Sequence, residues 1–356
     1  MPINKLYHTW NMQIRQLQPT ERITRIRNFT WLIVGIYQSR SVHLSKVAEK
    51  IPGTAKLPSI TRRLSRFLDN PAIRVREWYE PVAKDIIQHL ADGEIRLIVD
   101  GSKVGFGHQL LMVAIAYRRR AIPLAWTWIK SNRGHSTSYK QRALLTYVYR
   151  LIPPKTSVIL IGDAEFGEIE VQKLLRKWHW HYVLRQKGRY LVRQNNRENF
   201  QRLDNLVEKP GKRVWLTTCQ LTAKYAYSVN LMAYWKVGEK EPWFLATNLT
   251  CPQTTLKSYQ RRMWIEETFG DLKGNGFDLE STHLRNFLRL SRLTLSVVLL
   301  YVWLVAFGSR TIKNGKRHLV DRRDRRDHSV FRIGRNMAER HLTNELPLNL
   351  SLIPCL

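Results

Sequence analysis

Hydrophobic and polar positions divide the chain into segments with different periods. Residues 1–92 contain no strand pattern, and their apolar residues recur at the spacing of one helix face, which predicts helices. We expect Thr20 to cap a helix over 21–38, and Ser59 to cap a second amphipathic helix. From Arg96 the apolar residues run continuously, as in buried strands. The pattern predicts a helical unit followed by a mixed α/β core.

The α/β core is predicted from apolar runs and the helical spacing between them. The runs RLIVD, LLMVAIAY and AIPLAWTWI predict three successive strands, and residues 139–151 predict a helix. A further buried strand, SVILIGD, ends at Asp163, and 169–178 has helical spacing. Between 190 and 248, the segments VWLTTCQLTA, YSVNLMAYWKV and EPWFLATN indicate a β-rich insertion separate from this sheet. Helical spacing resumes at Thr255.

One apolar run raises the question of a membrane span. Residues 293–307 are almost wholly apolar, but the run is short for a bilayer, and Arg289 and Arg292 precede it. We therefore predict a buried core helix, with a membrane protein as the alternative.

The charge balance points to a polyanionic partner. Lys and Arg number 59 against 28 Asp and Glu, a formal net charge of +31. Nucleic acid is the partner that best offsets such repulsion, although a basic ribosome-associated or merely soluble protein is an alternative. The run 310–327 holds eight Lys or Arg and three Asp, a composition typical of a solvated segment or one that follows a phosphate backbone.

The cysteines and the N-terminus bear on the compartment. Cys219, Cys251 and Cys355 lie far apart without a Cys-x-x-Cys pair, so neither a zinc ribbon nor a disulfide framework is indicated. Residues 1–18 lack the apolar core of a signal peptide. We expect a reducing cytoplasm.

Two aspartates are candidates for metal-dependent chemistry because each ends a predicted buried strand. Asp100 lies in IVDGS and Asp163 in LIGDAEFG, and strand ends beside small residues can present side chains to solvent. Phosphodiester chemistry with Mg²⁺ requires such carboxylates, since this ion prefers oxygen ligands. An Asp before a small residue is otherwise an ordinary turn residue, and that alternative remains open.

The helix predicted after the insertion presents polar residues on one face. At about 100° per residue, an arc of roughly 60° contains Tyr259, Arg262, Glu266 and Lys273. We expect Glu266 to bind metal, and Arg262 and Lys273 to contact phosphate oxygens. Glu267 and Asp271 point away from this face. A solvent-facing helix with i,i+4 ion pairs is the alternative.

The spacing of these residues resembles a known signature. They match Y-x2-R-x3-E-x6-K without a gap, which is similar to the YREK pattern of bacterial insertion-sequence transposases, the insertion-sequence-four group of DDE enzymes. The resemblance covers about residues 96–307. It implies an RNase H-like core with a β-rich insertion, in which Asp100, Asp163 and Glu266 form the metal triad.

The same resemblance implies the activity and partners. Such an enzyme binds the terminal inverted repeats of its element, cuts with two Mg²⁺ ions, for which Mn²⁺ can substitute, and uses the freed 3′-hydroxyl to join target DNA. A synaptic homodimer in the bacterial cytoplasm, near the nucleoid, is implied, without a nucleotide cofactor or a membrane. The expected parts are a helical DNA-binding domain (1–92), an RNase H-like core (93–188 and 251–307), a β-rich insertion (189–250) and a helical basic C-terminal region (308–356).

Two further features suggest contacts with DNA. A helix over 59–68 places its apolar residues on one face and Arg62, Arg63 and Arg66 on the other. With a helix over 44–51 and the break at Pro52 and Gly53, it forms a helix-turn-helix-like pair, although a bundle helix with a solvated basic face is the alternative.

Trp243 opens the last strand of the insertion, in EPWFLATN. In the transposases that the chain resembles, a Trp at such a place stacks on a base flipped out of the duplex and stabilises a DNA hairpin. Trp235 is a weaker candidate, and a buried structural Trp is the alternative.

Two rival functions remain from the sequence. One is a transposase-derived DNA-binding protein that no longer cuts DNA, which the presence of all three carboxylates argues against. The other is an RNase H-like nuclease without strand transfer.

Overall fold

The computed structural model describes residues 2–90, 93–105, 107–130, 136–194 and 199–355. Its strands are β1 (Glu94–Val104), β2 (His108–Tyr117), β3 (Arg120–Lys130), β4 (Ser157–Gly162), β5 (His181–Gln186), β6 (Leu191–Arg193), β7 (Gln201–Arg202), β8 (Arg213–Leu221), β9 (Tyr227–Tyr234) and β10 (Trp243–Thr247). Its helices are α1 (Pro2–Leu17), α2 (Ile23–Ser39), α3 (Leu44–Ala48), α4 (Leu57–Asp69), α5 (Val75–Leu90), α6 (Ser138–Leu151), α7 (Ile169–Lys177), α8 (Pro252–Gln260), α9 (Met263–Leu272), α10 (Phe287–Lys313) and α11 (Val330–Thr343). The protein is therefore mixed α/β.

The N-terminal unit is helical as predicted, but both predicted caps are wrong. Helix α2 begins after Arg22, so Thr20 does not lie at its N-cap position. The backbone N–H of Arg22 donates to the Glu21 carboxylate. Helix α4 begins before Ser59, because Pro58 fits a first helical turn, where its missing N–H has no partner to lose. Helix α3 ends at Ala48 and is shorter than expected.

The first four strands and the two helices among them follow the predicted order, and β5 is a further strand that the sequence pattern did not predict. Strands β1, β2 and β3 are antiparallel neighbours, whereas β4 pairs parallel with β1, and β5 parallel with β4. Helix α6 precedes β4, and α7 follows it. This arrangement is consistent with the RNase H-like core that the resemblance implies.

The insertion is not a separate sheet, so that expectation is wrong. Strand β10 pairs antiparallel with β5, and all strands form one sheet in the order β3-β2-β1-β4-β5-β10-β9-β8-β6-β7. Strand β5 has hydrogen-bonding groups on the side away from β4, and β10 satisfies them. Alternate residues of β10 serve two cores: Leu245 packs in the main one, and Phe244 and Ala246 in that of the insertion.

Helix α10 is the central helix of the main core, which confirms the prediction for 293–307. Among the described residues it is the one helix long and apolar enough to cross a membrane, but 94% of its most apolar window is buried inside the protein. Helix α11 crosses it at Gly308 and Gly334, where an added Cβ would lie 2.0 Å or less from the backbone of the other helix. Only glycine permits this close approach.

Candidate active site

Asp100 and Asp163 are adjacent because of the register between two parallel strands. Val99 of β1 pairs with Gly162 of β4, so the next residue of each strand path is an aspartate. In-register neighbours on parallel strands share a face of the sheet. Each carboxylate accepts a nearby backbone N–H: Gly101 donates to Asp100 at 2.7 Å, and Glu165 donates to Asp163 at 2.8 Å.

The two carboxylates are unfavourable as a pair of anions. Burial, followed by the nearby Asp163 carboxylate, raises the pKa of Asp100 to about 7. Burial also raises the pKa of Asp163. Asp100 is only 8% exposed. Because desolvation and like charge both disfavour ionisation, this site gains stability from a cation.

Arg262 supplies a cation to this site. Its Nη1 lies 3.1 Å from Asp100 Oδ2 and 2.6 Å from Glu266 Oε1. Glu266 is on α9 and exposed, whereas Asp100 is on β1 and buried, so the guanidinium joins two elements. The structure thus brings Asp100 and Asp163 together and links Glu266 to them through Arg262.

The four YREK residues do not share one helix face, so that expectation is wrong. Tyr259 belongs to α8, Arg262 lies at the junction before α9, and Lys273 is past the end of α9, with φ −92° and ψ −133°. The Lys273 ammonium donates to the Lys103 carbonyl at 2.6 Å and lies 3.7 Å from Glu280. Because α8 and α9 are separate helices, these four side chains do not have the angular positions that a single continuous helix would give them.

The charged neighbours of α9 are turned away from the site, as predicted. Glu267 and Asp271 both pair with Arg120 of β3, at 3.3 and 2.5 Å. Thr268 binds the Ala121 backbone, accepting from its N–H at 2.8 Å and donating to its carbonyl at 3.0 Å. These contacts attach α9, and with it Glu266, to the sheet.

The donor set fits a divalent cation in its chemistry. Asp100, Asp163 and Glu266 offer carboxylate oxygens, the ligands that Mg²⁺ prefers, and the buried pair has too much negative charge for its surroundings. Within the described ranges, however, no three His, Cys, Asp or Glu side chains lie close enough together to hold a metal. Arg262 is the cation between Asp100 and Glu266 in this state.

Comparison with known families decides the identity of the chain. A family model described as "Transposase DDE domain" matches residues 96–303, a range that includes both aspartates, Arg262 and Glu266. The chain belongs to the DDE-domain transposases. No curated protein matches its sequence. Among solved structures, the cryo-EM structure of the piggyBac transposase synaptic complex with hairpin DNA is similar at 10% identity and a TM-score of 0.44, covering 98% of this chain and 83% of that one.

Two further residues of the transposase, Glu165 and Arg185, lie at the site, and the sequence pattern did not indicate either of them. Glu165 lies two residues after Asp163; its carboxylate accepts from the Ser136 backbone at 2.5 Å and from Gln109 at 3.4 Å. Burial, the largest effect, raises the pKa of Asp163, and the charge of Arg185 on β5 offsets a small part of that rise. The sequence signal for Glu165 is its place in GDAEFG, whereas Arg185 is adjacent only through strand pairing.

Trp243 lies at the start of β10 and contacts the YREK tyrosine. Its ring is half-buried, with its centroid 5.1 Å from that of Tyr259 at an interplanar angle of 67°. Burial raises the pKa of the Tyr259 phenol, which keeps it neutral. Trp235 instead lies past the end of β9 and donates to the Glu239 carbonyl at 2.9 Å.

The N-terminal arginines are exposed, as predicted for Arg62, Arg63 and Arg66. The last two line a cleft of about 370 Å³ between α2 and α4. Arg22 and Arg25, which the sequence pattern did not indicate, line the opposite wall. The transposase therefore has a basic cleft here, with Arg62 outside it.

Proposed function

We propose that this transposase performs cut-and-paste transposition of an insertion sequence. It cleaves DNA at the terminal inverted repeats and joins the freed 3′-hydroxyl ends to target DNA. The observation that supports this most directly is the position of Asp100 and Asp163 directly after the paired residues Val99 and Gly162, with Glu266 joined to Asp100 through Arg262. All these residues lie inside the range that matches the transposase DDE domain.

Asp100, Asp163 and Glu266 are the residues that would hold divalent metal, Mg²⁺ or in its place Mn²⁺. Two such ions supply activation of the attacking oxygen and stabilisation of the leaving oxygen. The fold holds the three carboxylates on β1, directly after β4 and on α9, and it buries Asp100, which strengthens electrostatic interactions there.

The DNA contacts proposed for this enzyme fall into two groups. Near the carboxylates, Tyr259, Arg262 and Lys273 bind the backbone of the cleaved strand, and Trp243 stacks on a flipped base. In the N-terminal unit, the terminal repeats are held by Arg62, Arg63 and Arg66, which are exposed on α4. Phosphate contacts of this kind position the duplex.

The finer classification belongs to the same proposal. The gap-free YREK spacing supports membership of the insertion-sequence-four group. A homodimer that bridges two DNA ends is the proposed active assembly, and the bacterial cytoplasm, near the nucleoid, is the proposed location. The net charge of +31 supports DNA as the partner.

A strand-transfer assay tests the proposal. The full chain is mixed with Mg²⁺, labelled duplexes taken from the DNA that flanks its reading frame, and a supercoiled target plasmid. We expect labelled ends to become covalently joined to the plasmid. Cleavage without joining would instead favour an RNase H-like nuclease, and binding without cleavage a transposase-derived DNA-binding protein. Asp100→Ala is the control that must abolish both products.

A further inference from the structure

Arg262 occupies the space between two carboxylates that the proposed function assigns to metal. One nitrogen, Nη1, serves both Asp100 Oδ2 and Glu266 Oε1. The Arg262 and Asp100 side chains are only 15% and 11% exposed, so their ion pair is weakly screened by solvent, whereas the Glu266 side chain is 42% exposed. The guanidinium thus neutralises an anionic site that is costly without a cation.

The helix break between α8 and α9 gives Arg262 this position. Its backbone forms the junction of the two helices, directly before Met263, and its Nη2 lies 3.0 Å from the Met263 sulfur. Tyr259, one turn before Arg262, packs its aromatic ring against Trp243 of β10. The side chain therefore reaches the carboxylates from a fixed point between two helices.

A divalent cation bound to Asp100 and Glu266 would share with Arg262 the two carboxylates that it contacts at Asp100 Oδ2 and Glu266 Oε1. Two cations at these oxygens repel each other, and a carboxylate oxygen that ligates a metal has a weaker attraction for the guanidinium. Once displaced from these carboxylates, the planar guanidinium of Arg262 has several N–H donors that can bind a phosphate group.

We propose that Arg262 is an internal counter-ion that competes with divalent metal for Asp100 and Glu266, and that it binds a DNA phosphate when metal is present. This inference rests on the proposed function, because it needs the carboxylates to bind metal. Arg262 then couples metal binding to DNA binding, and by linkage each strengthens the other.

Metal binding without DNA tests the first half. Free Mn²⁺ is titrated into the full chain and measured by electron paramagnetic resonance. Arg262→Gln removes the competing charge, so we expect Mn²⁺ to bind about tenfold more tightly than to the wild type, a change of about 1.4 kcal/mol. The matched control is Arg185→Gln, since Arg185 forms its ion pair with Glu241, at 2.5 Å, and acts on the proposed ligand Asp163 only through its charge.

A second variant, Arg262→Lys, changes the guanidinium but keeps the positive charge. Lysine keeps the charge but is a point donor that cannot reproduce the guanidinium fork, so the gain in Mn²⁺ affinity should be smaller than for Arg262→Gln. A thermal melt of each variant shows whether it is folded. If Arg262→Gln is unfolded, Arg262→Met takes its place, because it also removes the charge: a gain in Mn²⁺ affinity above that of Arg185→Gln supports competition, and a gain no larger than that contradicts it.

The second half is tested by DNA affinity. Ca²⁺, which has the same preference for oxygen ligands, is added to wild type and Arg262→Gln at constant ionic strength, and binding to duplex DNA is measured by fluorescence anisotropy. We expect Ca²⁺ to raise the affinity of wild type by a larger factor than that of the variant. Equal factors would contradict the transfer of Arg262 to phosphate.

The outcomes separate this inference from the proposed function. If Mn²⁺ binds wild type and Asp100→Asn abolishes that binding, the metal site exists. Equal gains in Arg262→Gln and Arg185→Gln would then overturn the competition alone, because they would reflect only long-range charge. If wild type binds no Mn²⁺ that depends on Asp100, both proposals fail.

Discussion

Trp243 and Tyr259 pack edge to face, with ring centroids 5.1 Å apart, and so join the last strand of the insertion to the helix that precedes Arg262. This contact gives Trp243 two possible roles. It supports the position of Tyr259, and its half-exposed ring offers a surface for a base.

The stacking role predicts a step-specific defect in Trp243→Ala. Loss of stacking removes about 1–3 kcal/mol, so hairpin formation or opening should fall while first-strand nicking stays near normal. Trp243→Phe should retain much of the activity, and Trp235→Ala is the control outside the site. Products are followed on one end-labelled substrate beside a thermal melt. Uniform loss of every product with a lower melting temperature would indicate a purely structural tryptophan.

The carboxylates should be essential for cutting but not for DNA binding. We expect Asp100→Ala, Asp163→Ala and Glu266→Ala each to lower cleavage more than about a thousandfold, roughly 4 kcal/mol of barrier. Their affinity for DNA should not fall in a gel-shift assay without divalent metal, where no metal-dependent gain is present to be lost. Glu267→Ala is the control, because Glu267 pairs with Arg120 outside the site. Normal cleavage by Glu266→Ala would remove it from the triad.

The N-terminal arginines should affect affinity before any chemical step. Replacing Arg62, Arg63 and Arg66 by Ala should weaken binding to element ends and reduce the slope of log K against log salt by about 0.9 for each phosphate that is no longer neutralised. Arg74→Ala is the control, because Arg74 is an exposed arginine of the same unit paired with Glu77 at 2.9 Å. A titration with the slope unchanged would argue for a merely solvated helix face.

The sequence predicted the structure best where local residues alone determine it. The strand ending at Asp163 and the buried helix over 293–307 follow from local runs of apolar residues, and both are present. It failed where distant segments decide the outcome. The pairing of β10 with β5 has no local signature, and neither does the placement of Arg185.

The YREK residues illustrate the same limit. Their spacing predicted one continuous helix, which is the wrong geometry, because the chain forms two helices with Arg262 between them. The ion pair of Arg262 with Asp100 joins residues far apart in the sequence, and its existence depends on the packing of α9 against the sheet.

The raised pKa of Asp100 predicts a pH-dependent stability. Because its pKa is about 7 in the folded state, above that of an ordinary aspartate, the folded protein binds the proton more tightly than the unfolded chain. This contribution to stability should fall as pH rises from about 4 to about 7, at about 1.4 kcal/mol per unit. Asp100→Asn should flatten the fall and melt higher than wild type at alkaline pH.

The control for this measurement is Asp85→Asn, an exposed aspartate on α5. Thermal melts across the pH range give the comparison. A wild-type protein and an Asp100→Asn variant with parallel pH profiles would show that the attraction of Arg262 for Asp100 outweighs burial and the charge of Asp163.

The attachment of α9 to β3 should depend on Arg120. Arg120→Ala leaves the Asp271 carboxylate buried without its partner, which should cost about 3–5 kcal/mol in urea denaturation. Arg119→Ala, a change at an exposed neighbour, is the control and should cost little. Replacing Arg120 and Asp271 together by Met and Leu should cost less than Arg120→Ala alone. An equal loss from Arg119→Ala and Arg120→Ala would contradict the anchoring role.

The single sheet has a consequence for any shortened form of this protein. Without residues 187–247, β5 would become a bare edge strand, with a row of unpaired N–H and C=O groups that invites another chain to pair with it. In the full chain the outermost strand on that side is β7, only two residues long, which offers little template for such pairing. A minimal catalytic fragment made by deleting the insertion should therefore aggregate, unless another strand is supplied to cover β5.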